Sequence, residues 1–394
     1  MDSYSNRFGI SKRYSYKTDL YPKSLLDESF PGSLFAQYYG TNIVFSNGDV
    51  IHVFVESAIK LLNVMEKVDN EPIEVKDLMH RLTLDVLGKA AFGFDFNNLG
   101  DPKNVYVTSY NEVLEELSKP IYYLISFLEH IVPRTEAIKK IAKLNKLYDE
   151  MVERKIKSMK TGELDEKINN KSADLLENMI HACNDPENPT LTSEELRHNL
   201  AIFMLAGHDT SKKNFIYLFI DVQKKVRDEI LRVLGDDLTP SSEQQKELKY
   251  MNMVINENLR LYPPVDNLPR RIPLNDITLR NHVIPAKTPI YVYIYGIHHS
   301  SKNWENPEKF IPERFENEKH DHYAWLSFNS GSRLCLGINF SLIEQRIMLC
   351  TLLRKYEVSL PANSIHKDKL QIASESSGTM GPHPLPLIFK RRTD

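Results

Sequence analysis

The chain has 394 residues, a mass of 45.7 kDa, 41% apolar residues and a formal net charge of −3 at pH 7. A chain of this length and apolar content can bury a large core, which argues against a disordered protein. The small net charge gives no electrostatic reason to expect a nucleic acid as a partner. The cysteines are few and widely spaced, which argues against a disulfide framework and indicates a reducing compartment.

The first half of the chain is predicted to be mostly helical. Residues 1–50 show no clear periodicity, and their polar start is not typical of a signal peptide. Segment 161–174 is charged and rich in asparagine, and it is predicted to be an exposed linker. No apolar run is long enough to span a bilayer, because the longest candidate, 121–132, contains Glu129 and His130. Helices are expected where apolar residues recur at helical spacing, over residues 53–67, 75–92, 104–130 and 135–160.

The second half combines further helices with a smaller β component. Thr192 opens a helix that extends beyond Gly207, because Thr-Ser-Glu-Glu supplies a capping side chain and acidic residues at the positive helix end. A helix over 247–261 ends where Pro263 and Pro264 cannot continue it. Other expected elements are strands within 271–295, a loop over 298–320, an apolar helix over 340–356 and strand-like runs at 358–360 and 387–389. The predicted fold class is therefore mainly α with a small β region.

Residues 328–337 read Phe-Asn-Ser-Gly-Ser-Arg-Leu-Cys-Leu-Gly and place one cysteine on a loop with backbone freedom. Gly331 and Gly337 flank Cys335, Arg333 lies two residues before it, and a helical stretch follows. A thiolate held in this way is a strong donor to iron, and Gly337 lets backbone N–H groups approach its sulfur. The alternative is a structural cysteine buried in a glycine-containing turn, which would be favoured for a lone cysteine.

A second group of residues lies on the helix predicted before this loop. Glu257 and Arg260 are three residues apart, so they share a helix face and can form a bidentate ion pair. Such a pair alone is weak evidence, because ion pairs on solvated helix faces are common. Arg314, in Pro-Glu-Arg-Phe, is the later arginine that can join them.

A third group, Ala-Gly-His-Asp-Thr at 206–210, lies inside the helix that Thr192 opens. Glycine in a helix interior costs up to about 1 kcal/mol relative to alanine, so we expect Gly207 to let the helix pass close to a flat ligand. The Thr210 hydroxyl can donate a hydrogen bond to a bound ligand, and Asp209 can supply protons towards it. The alternative is an ordinary helix with a polar patch.

Other candidate ligands are interpreted as structural. His298 and His299 are adjacent, and adjacent side chains diverge on a strand or helix, so a structural or surface role is favoured over a metal pair. Cys350 is expected to be a buried thiol, and Cys183 an inert thiol near a loop.

Together these motifs resemble those of the cytochrome P-450 family, of the eukaryotic microsomal type. The cysteine loop matches Phe-x-x-Gly-x-Arg-x-Cys-x-Gly at every fixed position, and Ala-Gly-x-Asp-Thr is similar to the family's oxygen-activation segment. Glu257, Arg260 and Arg314 follow the order of the buried triad that braces the haem loop in that family. The resemblance covers roughly residues 20–394 and implies one cytochrome P-450 domain over 1–394.

The resemblance implies a haem-thiolate monooxygenase that inserts one atom of O2 into an apolar organic substrate, with electrons from an NADPH-dependent reductase. Cys335 is expected to be the axial ligand of the iron of haem b, and Phe328 to pack on the proximal face of the haem. Arg333 and Arg270 are expected to bind the propionates, although Arg271 is an equal rival of Arg270 by chemistry alone. Asp209 and Thr210 would deliver protons for O–O cleavage, while the triad would be scaffold.

The sequence also departs from the microsomal pattern. It shows no apolar N-terminal anchor, no Pro-rich hinge and no room for the first strands, so it is expected to be soluble as written, whereas the family resides at the endoplasmic reticulum membrane. The expected Trp-x-x-x-Arg helix is missing between Val50 and Ile51, and the helix after Thr210 is shortened before Asp221. The alternative function is therefore a non-catalytic, truncated or mis-spliced product that binds haem poorly or not at all.

Overall fold

The structure is a computed structural model, and its element bounds can be compared directly with those expectations. It describes residues 48–68, 71–101, 103–117, 119, 134–170, 172–185, 190–211, 222–235, 237, 239–317, 320–367, 369–374 and 379–392. The predictions for residues 1–47 and for the apolar run at 121–132 lie outside these ranges. Within them, no helix has the length and apolar character needed to cross a membrane.

The described part of the chain is built mainly from α-helices, numbered here in chain order. The first six are α1 (Gly48–Met65), α2 (Val75–Phe92), α3 (Val105–Leu117), α4 (Thr135–Ser158), α5 (Glu163–Asn169) and α6 (Leu175–Asn184). The others are α7 (Ser193–Asp209), α8 (Gln223–Leu234), α9 (Ser242–Glu247), α10 (Lys249–Leu261), α11 (Ile294–His298) and α12 (Ile338–Lys355). Short 3-10 turns lie at Glu66–Val68, Pro312–Phe315, His322–Ala324 and Gly331–Arg333.

The strands are short and all pair antiparallel. They are β1 (Ile73–Glu74), β2 (Ile277–Leu279), β3 (His282–Ile284), β4 (Tyr356–Ser359), β5 (Ile372–Ser374), β6 (Met380–Pro382) and β7 (Pro386–Arg391). One sheet has the order β1-β7-β4, with Ile73 opposite Leu387 and Val358 opposite Phe389. The other pairs are β2 with β3 and β5 with β6. The prediction of a mainly α fold with a small β region is confirmed.

Most helix predictions agree with the structure, and the helix starts show why. The predicted start at Thr192 is a capping box, in which the Thr192 hydroxyl accepts the Glu195 N–H at 3.2 Å and the Glu195 carboxylate accepts the Thr192 N–H at 2.8 Å. These two bonds satisfy backbone donors that have no partner inside α7. The position between Val50 and Ile51, where a junction was expected, lies inside the first turn of α1.

Two expectations were wrong in detail. Segment 161–174 is more than an exposed linker, because it contains α5, whose Lys167 pairs with Glu163 at 3.2 Å and with the buried Glu177 of α6 at 2.8 Å. Ile294 does not continue the expected strand but begins α11. Of the expected strand region, residues 277–284 form β2 and β3, whereas Ile290 and Tyr293 take part only in isolated β-bridges, one of which joins Arg271 to Ile290.

Helix α12 lies in the core and fixes the loop that precedes it. Phe340 of α12 packs against Phe54 of α1, with 4.9 Å between the ring centroids. Ile347, Met348 and Leu349 are also almost fully buried in this helix. Burying one such side chain stabilises the fold by about 1.5–3 kcal/mol, so α12 is a firm support for the cysteine loop.

Candidate functional site

The three residues of the predicted triad meet in the core. Arg260 donates from Nε to Glu257 Oε2 at 2.8 Å and from Nη2 to Oε1 at 2.9 Å, and both side chains are fully buried. Arg314, from the turn Pro312–Phe315, donates from Nε to Glu257 Oε1 at 3.1 Å. The Ile311 N–H donates to the same oxygen at 2.8 Å. The carboxylate thus has the partners that a buried charge requires.

The triad also fastens a long stretch of chain to α10. Arg260 donates to the carbonyl oxygen of His298 at 2.7 Å and to that of Lys309 at 3.2 Å. Arg314 donates from Nη1 to the carbonyl oxygen of Glu305 at 2.8 Å. The Trp304 ring centroid lies 5.2 Å from Arg260 Cζ, within the range of a cation–π interaction.

The segment that enters the cysteine loop is attached to α10 at two residues, and the residue between them is attached to His298 of α11. The Trp325 indole N–H donates to the Asn256 carbonyl at 3.2 Å, and the Ser327 hydroxyl donates to the Leu259 carbonyl at 3.0 Å. Between them, the Leu326 N–H donates to Nε2 of His298 at 2.8 Å. Helix α10 therefore positions the start of the loop through backbone carbonyls near its C-terminal end.

The loop itself is closed by hydrogen bonds around Cys335. The Cys335 N–H donates to the Phe328 carbonyl at 2.9 Å, and the Asn329 amide donates to the Arg333 carbonyl at 2.9 Å. Asn329 and Gly331 both have φ of +64°, a left-handed conformation that Asn and Gly tolerate best. A side chain at Gly331 would meet no atom within 4 Å, so the loop is open on that side.

The Cys335 thiol is exposed, whereas Cys350 is buried and Cys183 is intermediate. The alternative of a buried structural cysteine therefore does not describe Cys335. Protein atoms nevertheless crowd its sulfur, and this desolvation raises the pKa of the thiol, while a hydrogen bond from the Gly337 N–H lowers it. Because a bound metal ion stabilises the thiolate, iron would supply a positive charge directly at the sulfur.

The other predicted residues on this side lie around the loop. Phe328 is buried, and its ring packs edge-on against Trp325 at 6.0 Å between centroids. Arg333 is half-buried in the 3-10 turn before the cysteine. Arg270 is exposed, and Arg271 is half-buried with its backbone bonded to Ile290. The choice between Arg270 and Arg271 as a propionate ligand therefore stays open.

The predicted oxygen-activation residues lie at the C-terminal end of α7. Asp209 is almost fully buried, and its Oδ2 accepts the Thr379 hydroxyl at 3.1 Å. The Thr210 hydroxyl donates to the Ala206 carbonyl at 2.6 Å. A Cβ added at Gly207 would lie 2.8 Å from Cδ1 of Leu87. The missing side chain of Gly207 thus makes room for α2, which differs from the expectation that it admits a flat ligand.

Sequence reasoning missed two buried ionisable residues near the site. His298 was assigned only an unspecified structural or surface role, although it joins α10 to the cysteine loop. Glu344 is fully buried on α12, and burial raises its pKa to about 8. Ser211 acts on that pKa in the opposite direction, but among the described residues neither Glu344 oxygen has a partner at normal hydrogen-bond geometry. A glutamate within an apolar helix pattern was the signal that could have revealed it.

An open cavity of about 390 Å³ lies elsewhere, between α2, α3 and Pro384. His80 lines this cavity. The His80 ring packs edge-on against the buried His208 ring, with 4.0 Å between the ring centroids. Its wall includes none of the residues predicted to bind a cofactor.

The sequence profile described as "Cytochrome P450" matches residues 41–384. With the exposed cysteine, its loop and the buried triad in place, this match over most of the chain shows that the chain belongs to the cytochrome P450 family. Proteins of this family bind haem b through a cysteine thiolate. The residues present fit that group, because the thiol is exposed, the Gly337 N–H points to its sulfur and the Gly331 side of the loop is open.

Several curated proteins are similar to parts of the chain. Cytochrome P450 3A11 of Mus musculus is 27% identical over 321 residues, which are 78% of this chain and 63% of that protein. Cytochrome P450 3A7 of Homo sapiens is 28% identical and covers 74% of this chain and 60% of its own length. The LUTEIN DEFICIENT 5 protein of Arabidopsis thaliana is 28% identical over 79% of this chain and 55% of its own length. The chain thus spans less than two thirds of these relatives' length.

Solved structures show the same fold. The crystal structure of the cytochrome P450DA heme domain superposes with a TM-score of 0.76 over 96% of this chain and 81% of that chain, at 21% identity. A mutant of that domain gives a TM-score of 0.79 at 22% identity, over 96% and 82% of the two chains. At such identities the likeness supports the fold alone.

Proposed function

We propose that the chain forms one haem-thiolate monooxygenase domain, which inserts one oxygen atom of O2 into an apolar organic substrate. A reductase that uses NADPH would supply the electrons, and the endoplasmic reticulum membrane is the proposed location, as for the microsomal proteins that the motifs resemble. The observation that carries the proposal is the exposed Cys335 thiol on a loop braced by the buried Glu257 and Arg260 together with the half-buried Arg314. Sterols, fatty acids and xenobiotics all fit the proposed substrate class.

On the cysteine side, the chain's own residues would hold the haem. Cys335 would bind through Sγ, with the Gly337 N–H donating to that sulfur and so stabilising its negative charge. Arg333, together with Arg270 or Arg271, would bind the propionates through charge-assisted hydrogen bonds. When bound, haem supplies the redox-active iron at which O2 is reduced.

On the α7 side, Asp209 and Thr210 would move protons. Oδ2 of Asp209 accepts a hydrogen bond from the Thr379 hydroxyl, and a change of this hydrogen-bond partner would let the carboxylate take part in a proton path. The Thr210 hydroxyl donates to the Ala206 carbonyl at 2.6 Å. It must therefore release that bond before it can donate to an oxygen species, which makes Thr210 a switchable donor.

A second candidate is a non-catalytic protein that binds haem poorly or not at all. The packing of Leu87 into the space beside Gly207 favours this candidate, because a flat ligand would need that space.

The ferrous–CO difference spectrum of the purified protein, after haem is supplied, separates the two. We expect the strongly red-shifted Soret band of a thiolate-ligated haem, and we expect Cys335→Ser to abolish it. Cys183→Ser is the matched control, since Cys183 lies away from the loop near Thr192, and it should leave the band in place. Absence of any haem absorbance in the unmodified chain would overturn the monooxygenase proposal.

A further inference from the structure

His298 is buried between the triad and the segment that enters the cysteine loop. Its Nδ1 lies 3.0 Å from the carbonyl oxygen of Arg260, and its Nε2 lies 2.8 Å from the backbone nitrogen of Leu326. A carbonyl only accepts and an amide N–H only donates, so the proton of the ring must be on Nδ1 while Nε2 accepts. Both ring nitrogens are used, and the ring can satisfy these partners only when it is neutral.

The surroundings of His298 keep it in that neutral form. Burial lowers the pKa of His298 to about 3, and the positive charge of Arg260 acts in the same direction. The ring therefore keeps one tautomer throughout the physiological range, and its two hydrogen bonds do not depend on pH there.

The position of His298 is set by Arg260 of the triad. Arg260 Nη1 donates to the His298 carbonyl at 2.7 Å, while His298 Nδ1 donates to the Arg260 carbonyl, so the two residues are bonded reciprocally. The Arg260 carbonyl belongs to the last turn of α10, where carbonyls have no partner inside the helix. His298 thus completes the end of α10 and receives its own orientation from the triad.

On its other side, His298 is coupled to the cysteine through backbone hydrogen bonds. The Leu326 N–H donates to Nε2, and the Leu326 carbonyl accepts the Asn329 N–H at 2.9 Å. Two residues after Leu326, the Phe328 carbonyl accepts the Cys335 N–H at 2.9 Å. A displacement of Leu326 would therefore shift the backbone atom to which Cys335 is bonded.

We propose that His298 is a positioning residue for the Cys335 thiol: it transmits the geometry of the triad to the loop through Leu326. This inference deepens the proposed function and rests on it for its purpose, since a precisely placed thiol matters most to a thiolate ligand. The hydrogen bonds that carry it are formed by the protein alone, so it can be tested without haem.

The first test measures the reactivity of the Cys335 thiol in the full chain. In a Cys183→Ser background, the iodoacetamide alkylation rates of Cys335 and Cys350 are compared at one fixed pH by mass spectrometry. His298→Leu should speed alkylation of Cys335 about fivefold or more, because losing a buried hydrogen bond frees the loop and relieves its desolvation. Cys350, which is buried in α12, should keep its rate.

Two further variants make the result specific. His299→Leu is the matched control, because the neighbouring His299 stacks on Tyr295 at 3.9 Å and bonds to the Tyr295 carbonyl within its own turn. It should leave Cys335 unchanged. His298→Gln should restore most of the wild-type rate, since its amide can donate at one end and accept at the other. Equal Cys335 rates in wild type and His298→Leu would overturn the inference, as would a parallel rise at Cys350 or a failure of Gln to restore the rate.

A second measurement keeps the proposal testable if His298→Leu does not fold. Amide hydrogen exchange of the wild-type chain should show protection of Leu326, and that protection should persist in His298→Gln. An unprotected Leu326 amide in the wild type would overturn the inference. A missing haem spectrum in the wild type would count against the proposed function, whereas the alkylation and exchange results would still decide the role of His298.

Discussion

The two sides of the candidate site are built in different ways. The cysteine side, which comprises α10, the turn Pro312–Phe315 and the loop 328–337, is held by a dense set of hydrogen bonds to buried charges and backbone carbonyls. On the α7 side, which comprises residues 206–211 and the part of α2 around Leu87, the described contacts include the packing of Leu87 against Gly207 and the hydrogen bond from Thr379 to Asp209. Directional bonds define one arrangement of atoms, whereas packing permits several. We therefore expect the cysteine side to be the more rigid of the two.

The largest effect should come from breaking the triad. Glu257→Gln removes the carboxylate that both Arg260 and Arg314 contact, and it leaves a buried guanidinium without its counter-charge. We expect a loss of about 3–5 kcal/mol in the free energy of unfolding, measured by urea denaturation. The exposed pair of Glu136 and Lys139 offers a control, and Glu136→Gln should change stability little. A similar small change for both variants would mean that the cysteine side is not rigid.

The next effect concerns Glu344, which lies where the two sides meet, on α12 and beside Ser211. Burial raises its folded pKa to about 8 from the ordinary value of 4.5, so its contribution to stability is full below pH 4.5 and is lost as the pH rises through about 8. Glu344→Gln cannot titrate. We expect the free energy of unfolding of the variant, relative to that of the wild type, to rise by about 2 kcal/mol or more between pH 5 and pH 8.5. Denaturation at each pH measures this difference. Equal pH profiles would show that the carboxyl is not buried in this way.

A smaller effect should reveal the packing on the α7 side. Gly207→Ala would bring a methyl group against Cδ1 of Leu87, at 2.8 Å without relaxation. We expect a loss of about 1–2 kcal/mol in thermal or urea unfolding. In a Leu87→Ala background the same change should instead stabilise α7 by up to about 1 kcal/mol, because alanine favours the helix. Stabilisation in the wild-type background would show that the space beside Gly207 is open, as a flat ligand requires.

The smallest effect should separate loop geometry from stability. Gly331→Ala forces a side chain into φ of +64° but meets no neighbouring atom, so it should cost about 1 kcal/mol. Gly162→Ala imposes the same kind of strain at φ of +82°, ahead of α5. Both variants should lose similar stability by thermal unfolding, while only Gly331→Ala should alter the alkylation rate of Cys335. Equal alkylation rates of Cys335 in the two variants would mean that the loop conformation does not determine the placement of the thiol.

The sequence predicted the local parts of this molecule well. The bounds of α2 and the capping box at Thr192 follow from apolar spacing and helix-end chemistry, which are properties of a short stretch of chain. The pairing of Glu257 with Arg260 was anticipated for the same reason, because the two residues share a helix face. Their burial was expected only through the resemblance to a family.

Contacts between distant segments could not be read in that way. Strand β1 was not anticipated, since it has only two residues and exists by pairing with β7, more than 300 residues further along the chain. The packing of Leu87 beside Gly207 and the role of His298 depend on how helices and loops meet in space. In each case the residue's own neighbours in sequence carry no signal for the partner.

The carbonyl groups at the end of α10 have a consequence for the order in which the chain can be completed. Their partners, Trp325 and Ser327, are 69 and 68 residues further along the chain. During synthesis, His298 can therefore reach the Arg260 carbonyl early, whereas the Leu259 carbonyl gains its Ser327 partner only with the approach to Cys335. The triad, whose last member is Arg314, can thus be complete before the segment that fastens the cysteine loop to α10 has been made.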